Sequence, residues 1–314
     1  MIDLQMTDSN IGARHDKNIK NHLFIVYAFI NDVLKSKQTC IDIQIYDLVK
    51  AFVVLWLDDC FNDLWDTLTR EAQDDKLGLV YKTSMKNLVA INTPFGQTER
   101  KNIPEIVTQG GTWGPILCSN SIDKIGKFSL ENKHVYKYKN IASVIPLSMV
   151  DDLLAVSQCG FQSVEVNTSI NTLIELKKLE FHVPEKDKVG KCHFLHIGKP
   201  NLYCPGMKVH GVDAEQIHET TYLGDIIRDD GKNSSNIKHR VNKGIGLVSE
   251  IFTVLESVSF GYRYFEIAKI LREARLINAI LTNGEVWYSL GSKEVSELQQ
   301  VDYIMLRKVM AVPS

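Results

Sequence analysis

The order of polar and apolar positions predicts alternating helices and strands over the first two thirds of the chain. Between Asn21 and Leu34 apolar side chains recur every three or four residues, which predicts a helix. Residues 41–47, with the sequence IDIQIYD, alternate strictly between apolar and polar side chains and predict a strand. Similar patterns predict helices over 57–76, 114–127 and 168–180, and strands in the segments NLVAINTPFG, NIPEIVTQGG, KCHFLHIG and TTYLGDIIR.

The last third of the chain has a different, helical pattern. After Gly231, Asn233 or either of the two serines that follow it can cap a helix, whose apolar face has positions 237, 241, 245, 248 and 251. We predict two further helices, near 262–283 and 292–310. Residues 231–280 contain eight Lys and Arg against four Glu, and such a basic excess on helices is typical of a module that binds a nucleic-acid backbone. A solvated helical face explains the same excess equally well.

Composition fits a globular protein and argues against several other classes. The chain has 314 residues, of which 44% are hydrophobic and 24% charged, and this suits one large or two to three smaller folding units. No apolar stretch approaches the length of a membrane span, and the N-terminus lacks the apolar core of a signal peptide. The six scattered cysteines form no CxxC pair, which indicates reduced thiols in an intracellular protein. The sequence does not distinguish nucleus from cytoplasm.

The segment VIPLSMVDDLLAVSQCG places two adjacent carboxylates, Asp151 and Asp152, between two apolar runs. These runs are close enough in sequence to pair as the arms of a tight hairpin. Two carboxylates about 4 Å apart repel each other by about 4 kcal/mol at an effective dielectric constant of about 20. A shared proton, a basic neighbour or a divalent cation has to offset that repulsion.

A third carboxylate is predicted nearby, because Asp47 ends the alternating strand on its apolar side and is tolerable only at the rim of the core. Three aspartates on adjacent strand ends suit two Mg²⁺ ions about 3.5–4 Å apart, which clamp the attacking and leaving oxygens of a phosphoryl displacement. The alternative is a pair of solvated charges, as we predict for Asp58–Asp59, Asp74–Asp75 and Asp229–Asp230. The apolar runs beside Asp151–Asp152 favour the metal site, because a solvated turn needs no such burial.

Five segments, in order, resemble motifs of one family, the reverse transcriptases of non-LTR retrotransposons. MVDDLLAVS resembles the Asp-Asp motif, and IDIQIYDLVKAF resembles the first catalytic motif, an aspartate at a strand end before a Lys-Ala-Phe helix start. The other three segments are VTQGGTWGPILCSNSID, KCHFLHIG and TTYLGDIIRDDGKNSSNIKHRV. In addition, SNIGARHDKNIKNHLFIV resembles the fingers segment before the palm. The resemblance therefore covers nearly the whole chain.

The resemblance implies an α+β fold of right-hand polymerase architecture, with an antiparallel palm sheet, packed helices, partial fingers and a helical thumb. It implies partial fingers over 1–38, a palm with interleaved fingers elements over 39–230, and a thumb-like region over 231–314. The implied activity is RNA-directed DNA polymerisation, the two-metal transfer of a nucleotide from a dNTP to a primer 3′-hydroxyl. The implied partners are an RNA template, a DNA primer and a dNTP, with no membrane and no disulfide-linked partner. The chain is expected to be a truncated copy without an endonuclease.

The same resemblance implies roles for individual residues. Asp47, Asp151 and Asp152 would bind two Mg²⁺ ions, or Mn²⁺ in their place, together with the backbone carbonyl of Leu48. Lys191 would neutralise or protonate the leaving pyrophosphate. The nucleotide-binding residues would be Arg14, Phe52, Gln109 and Gly110, and the primer-binding residues would be Tyr222, Leu223 and Gly224. Without the resemblance, Phe52 would be predicted as a core aromatic and Lys191 as an ordinary surface lysine.

Two positions depart from the family pattern, Val53 where aspartate is usual and Val150 where alanine is usual. The resemblance implies that the position of Val53 supplies no metal ligand, and that Val150 is a small change of volume near the primer end. Two other functions stay open, a catalytically inactive nucleic-acid-binding remnant and another two-metal phosphotransferase such as a nuclease. A zinc site made by Cys192, His193 and His196 is disfavoured, because neighbouring residues on a strand point to opposite faces.

Overall fold

The structure is a computed structural model of the chain. It describes residues 10, 18–36, 39–49, 55, 57–67, 88–90, 92–102, 114–131, 136–138, 142–144, 146–183, 190–199, 205–258, 260–288 and 290–310. The chain divides into two compact units, residues 1–22 with 33–218 and residues 23–32 with 219–314. The functional regions assigned from the sequence, 1–38, 39–230 and 231–314, stay predictions.

Helices and strands alternate up to residue 216, as the hydrophobic pattern predicts. The helices are α1 (Ile19–Ser36), α2 (Leu57–Thr67), α3 (Gly114–Glu131) and α4 (Phe161–Leu176). The longer strands are β1 (Cys40–Asp47), β8 (Leu147–Met149), β9 (Asp152–Gln158) and β10 (His193–Gly198). The short strands are β2 (Leu88–Val89), β3 (Asn92–Thr93), β4 (Gly96–Gln97), β5 (Lys101–Asn102), β6 (Tyr136–Tyr138), β7 (Ala142–Val144), β11 (Lys208–Val209), β12 (Val212–Asp213) and β13 (Glu215–Gln216).

The predicted helices over 21–34 and 114–127 are confirmed, while the helix predicted over 168–180 lies earlier, at 161–176. It starts directly after Gly160, whose positive φ of 90° ends the turn that follows β9. Most of the strand predicted in NIPEIVTQGG lies outside the described residues.

Five strands form the central sheet in the order β13–β10–β1–β9–β8. β1 pairs antiparallel with both β9 and β10, and β8 pairs antiparallel with β9. β13 pairs parallel with β10, so the sheet is mixed and the prediction of an antiparallel palm sheet is wrong at this edge. A parallel pair needs a long connection, and the β11–β12 hairpin lies in the sequence between β10 and β13.

The polar positions of β1 are buried rather than solvated, because one face of the sheet packs against α3 and α4. Gln44 donates from Nε2 to the backbone oxygen and to Oγ of Ser163 in α4, at 3.0 and 2.8 Å. Tyr46 donates from its hydroxyl to Gln44 Oε1 at 2.8 Å and accepts from Asn167 Nδ2 at 2.8 Å. The alternation in IDIQIYD therefore predicts the strand correctly, but it does not show that the polar side chains form a buried hydrogen-bond network.

In the second unit, the segment after residue 218 begins with a hairpin of β14 (Glu219–Tyr222) and β15 (Asp225–Arg228). The single strand predicted in TTYLGDIIR is thus two strands. Leu223 and Gly224 form the two-residue loop between them, with positive φ at both positions, 48° and 79°. The helices that follow are α5 (Ser234–Leu255), α6 (Tyr262–Leu271), a π-helical turn (Arg272–Ile277), α7 (Asn278–Ile280) and α8 (Ser292–Val309).

A buried carboxylate ties these elements of the second unit together. Asp225, at the start of β15, is fully buried. Its side chain accepts from Tyr27 Oη at 3.1 Å, from Arg240 Nη2 at 3.1 Å and from Trp287 Nε1 at 2.9 Å. Burial and the neighbouring Asp225 raise the pKa of Tyr27 well above its usual range, so Tyr27 stays a neutral donor. Three donors satisfy a charge that burial would otherwise penalise.

Two findings concern the helices and the cysteines of the described residues. None of their helices is both long enough and apolar enough to cross a membrane. The cysteines among them are free thiols, namely Cys40, Cys60, Cys118, Cys159 and Cys192.

Candidate functional site

The central sheet places two of the predicted metal ligands directly opposite each other. Asp47 ends β1, Asp152 begins β9, and the two residues are partners in the antiparallel register. Side chains of directly opposed residues lie on the same face of a sheet, with their Cβ atoms about 5 Å apart. The carboxylates of Asp47 and Asp152 therefore share one side of the sheet, at the end where both strands meet the surface.

The third predicted ligand, Asp151, lies in the loop of the β8–β9 hairpin, and the predicted hairpin is confirmed. Met149 pairs with Asp152, which leaves Val150 and Asp151 as a two-residue loop. Val150 has a φ of 58°, a region that a β-branched residue rarely adopts. Such a backbone conformation stores about 1–3 kcal/mol of strain. Asp151 is exposed at the tip.

The electrostatics of the site are those of crowded negative charge. Partial burial, followed by the charges of Asp151 and Asp47, raises the pKa of Asp152 from 3.8 to about 6. Asp152 still reaches solvent. Its carboxyl therefore holds a proton more readily than an ordinary aspartate does, and a cation bound between these groups would replace that proton.

The backbone of Leu48 also faces the hairpin. Leu48 pairs with Phe181 as an isolated antiparallel bridge. Its neighbours make the hydrogen bonds of that bridge, because Val49 N donates to Glu180 O at 2.8 Å and His182 N donates to Asp47 O at 3.0 Å. Since successive residues of a strand direct their backbone groups to opposite sides, the N–H and C=O of Leu48 point away from Phe181, toward the β9 side. This orientation suits the predicted role of the Leu48 carbonyl.

Lys191 is held beside Asp47 by the strand that follows it. Lys191 Nζ lies 3.1 Å from Asp47 Oδ2. Its neighbour Cys192 is buried and accepts a hydrogen bond from Asp47 N at 3.3 Å. Burial raises the pKa of the Cys192 thiol to about 11, so the thiol adds no negative charge next to Asp47. The sequence pattern does not predict this place for Cys192.

The structure adds one residue that the sequence pattern does not reveal. His182 Nε2 lies 3.8 Å from Asp47 Oδ1 and 3.3 Å from Lys191 Nζ. It is brought there by the bridge between Leu48 and Phe181. A lone histidine after a predicted helix carries no sequence signal of this position, because the bridge depends on contacts between distant parts of the chain.

The other predicted site residues either lie outside the described residues or belong to the second unit, so their predicted roles stay predictions. Arg14, Phe52, Gln109 and Gly110 lie outside the described residues. Tyr222, Leu223 and Gly224 belong to the second unit. There the side chain of Tyr222 is only 2% exposed, and Leu223 and Gly224 form the hairpin loop. The carbonyl of Gly224 accepts from Arg240 Nη2 at 2.7 Å.

The donor set of the cluster fits a hard divalent cation. Three carboxylates and one backbone carbonyl offer only oxygen atoms, which Mg²⁺ prefers. Lys191 forms an ion pair with Asp47, whereas burial and the charges of Asp151 and Asp47 oppose the ionisation of Asp152. Asp47, Leu48, Asp151 and Asp152 are therefore the residues that could hold metal here.

Comparisons with known proteins gave a distant likeness of fold. No family model matches the chain, and no curated protein matches it in sequence. Among solved structures, it is similar to telomerase from Candida albicans in complex with a TWJ fragment of telomeric RNA, with a TM-score of 0.42 and 11% identity. That match covers 96% of this chain and 49% of the telomerase chain. The chain thus spans about half the length of that protein.

Proposed function

We propose that the chain is an RNA-directed DNA polymerase of right-hand architecture, related to the reverse transcriptases of non-LTR retrotransposons. The observation that carries the proposal is the opposition of Asp47 and Asp152 on adjacent strands, with Asp151 in the loop between β8 and β9. The order of the five sequence motifs supports it independently. The two-metal geometry alone would suit other phosphotransferases, but the motif order favours a polymerase.

In this proposal Asp47, Asp151, Asp152 and the carbonyl of Leu48 hold two Mg²⁺ ions. When bound, the ions lower the pKa of the primer 3′-hydroxyl and stabilise the charge on the triphosphate. The chain's own part is to fix the oxygen ligands on a rigid sheet, so that little reorganisation is needed during reaction. Lys191 lies 3.1 Å from Asp47 and is mostly exposed, and in this proposal it would neutralise or protonate the leaving pyrophosphate.

The substrates follow from the same proposal. An RNA template and a DNA primer would be held through their backbones, since base pairing selects the incoming dNTP. The Lys and Arg side chains of residues 231–280, which outnumber the Glu side chains there, are proposed to contact the phosphates. Arg14, Phe52, Gln109 and Gly110 are proposed to bind the nucleotide, and Tyr222, Leu223 and Gly224 to support the primer end.

The test is primer extension on an RNA template annealed to a DNA primer, with Mg²⁺ and then with Mn²⁺. We expect extension by the wild-type chain and a loss of at least about 100-fold in the Asp151→Asn and Asp152→Asn variants, because each removes a charge that the transition state needs. Asp213→Asn is the matched control, since Asp213 is a solvent-exposed carboxylate in the same unit. It should extend the primer at the wild-type rate.

The same assay separates the competing functions. Tight binding of the RNA–DNA hybrid without incorporation by folded protein would contradict the proposal and indicate a non-catalytic binding protein. Cleavage of the template that depends on Asp151 and Asp152, again without incorporation, would indicate a nuclease instead.

A further inference from the structure

A second cluster of metal-binding side chains lies at the opposite end of β1. It comprises Cys40, Cys159 and His196, and within the described residues their ligand atoms all lie within 4.8 Å of one another. Asp42 lies beside them, with Oδ1 at 2.9 Å from His196 Nδ1 and 3.5 Å from Cys159 Sγ. None of these residues belongs to the candidate polymerase site.

The strand register explains why the four side chains converge. Cys40 and Asp42 are two residues apart on β1 and therefore point to the same face. Asp42 is the direct partner of His196 on β10. Cys159 follows β9, and its N–H donates to the carbonyl of Cys40 at 3.4 Å. Three adjacent strands thus each bring a donor to one end of the same face, which no short sequence motif encodes.

The spacing suits a tetrahedral zinc ion. Zinc binds thiolate sulfur at about 2.3 Å and imidazole nitrogen at about 2.0–2.1 Å, so a sulfur and a nitrogen on one tetrahedral ion are about 3.6 Å apart. Cys159 Sγ lies 3.5 Å from His196 Nδ1. Thiolate and imidazole ligands also favour zinc over Mg²⁺, which prefers oxygen.

The burial of Asp42 and His196, and the charge of Asp42, also favour a zinc ion at this site. The side chains of Asp42 and His196 are only 2% and 10% exposed. A carboxylate so deeply buried needs an opposite charge or hydrogen bonds to compensate it, and without metal His196 Nδ1 is its partner at 2.9 Å. A zinc ion would supply that charge to Asp42 and would stabilise the thiolates of Cys40 and Cys159 as well. Cys40 is only partly buried, which leaves a route for the metal to enter.

We propose that Cys40, Cys159 and His196 bind one Zn²⁺ ion, with Asp42 as the fourth ligand. The site is structural, because it joins the ends of β1, β9 and β10. Asp47 lies seven residues after Cys40 on β1. At a rise of about 3.3 Å per residue, the zinc ion would lie roughly 20 Å from the carboxylates of the proposed polymerase site. Zinc binding therefore does not depend on the proposed polymerase function.

The first test is titration of the reduced, metal-free chain with Co²⁺, a spectroscopic substitute for Zn²⁺. We expect one equivalent to give a thiolate-to-cobalt charge-transfer band and the visible bands of tetrahedral cobalt, both abolished by Zn²⁺. Cys40→Ser, Cys159→Ser and His196→Asn should each weaken binding at least about 100-fold, since a ligand is lost. Cys60→Ala, which removes a buried thiol in α2, should bind like wild type.

A second test uses the wild-type chain alone and so does not depend on whether the variants fold. Zn²⁺ should protect Cys40 and Cys159 from alkylation by iodoacetamide, with the modified residues mapped by mass spectrometry. Folded protein that gives no cobalt–thiolate band would overturn the proposal, as would an unchanged band in the two cysteine variants. A Cys40–Cys159 disulfide formed by mild oxidation, without any metal binding by the reduced protein, would also overturn it.

Discussion

The raised pKa of Asp152 predicts that replacing this carboxylate by an amide stabilises the metal-free protein at neutral pH. In the folded chain the pKa is about 6, against 3.8 as the ordinary value. A carboxyl with a raised pKa favours folding only while it is protonated. Its contribution is complete below pH 3.8 and is lost as the pH rises through about 6. The amide of an Asp152→Asn variant never ionises, so the variant escapes this loss.

The magnitude follows from the size of the pKa change. A rise from 3.8 to about 6 corresponds to about 3 kcal/mol of differential interaction if no solvent screening is applied. Asp152 is exposed, and screening at exposed sites reduces charge interactions to about 1 kcal/mol. We therefore expect the variant to be about 1 kcal/mol more stable than wild type above pH 6, with the difference vanishing below pH 4.

Urea unfolding across this pH range, in the presence of a chelator, measures the difference. Asp230→Asn is a control with the opposite sign, because hydrogen bonds from Arg228 lower the pKa of Asp230 and its carboxylate favours folding at neutral pH. Added Mg²⁺ should stabilise wild type and not Asp152→Asn. A variant that is less stable than wild type at pH 7 without metal would refute the crowding of charge that we derive for this site.

Two further predictions concern the backbone conformation of Val150 and the packing of glycines in α5. Because Val150 has a φ of 58°, Val150→Gly should be about 1 kcal/mol more stable than Val150→Ala, although alanine keeps the Cβ atom that glycine lacks; equal stabilities by thermal unfolding would show that the loop is unstrained. In α5, Gly246→Ala should stabilise by about 0.5–1 kcal/mol, since a Cβ there meets open space. Gly244→Ala should destabilise by about 1–3 kcal/mol, since its Cβ would lie 2.7 Å from Val301 Cγ1 and 2.8 Å from Ile280 Cγ2. A higher denaturant midpoint for Gly244→Ala than for Gly246→Ala would contradict this packing.

Sequence patterns predicted most elements of the fold because their signals are local. Helical periodicity over 21–34 and 114–127 and alternation over 41–47 depend on neighbours in sequence, and the structure has α1, α3 and β1 there. The parallel edge strand β13 is set instead by a contact with β10 across a long connection. The loop of Leu223 and Gly224 was missed because Leu223 has positive φ without being glycine, asparagine or aspartate.

The candidate site was predictable in part for the same reason. Asp151 and Asp152 are visible in the sequence as a charged pair between apolar runs, and Asp47 as a charge at the end of a strand. His182 and the pairing of Asp42 with His196 depend on strand register, which no local pattern encodes. The zinc site considered from the sequence used the adjacent residues Cys192 and His193, whereas the structure groups His196 with cysteines from two other strands.

The apolar runs beside Asp151 and Asp152 explain why this pair of aspartates differs from the others in the chain. Leu147 and Leu153 are buried within the sheet, so packing of the two arms holds Asp151 and Asp152 close together. Partial burial and the charges of Asp151 and Asp47 together raise the pKa of Asp152, so its carboxyl holds a proton more readily. In the Asp229–Asp230 turn, Arg228 donates hydrogen bonds to Asp230 and lowers its pKa. A rigid frame around unpaired carboxylates, rather than the number of acidic residues, is thus what makes a position suited to bind a cation.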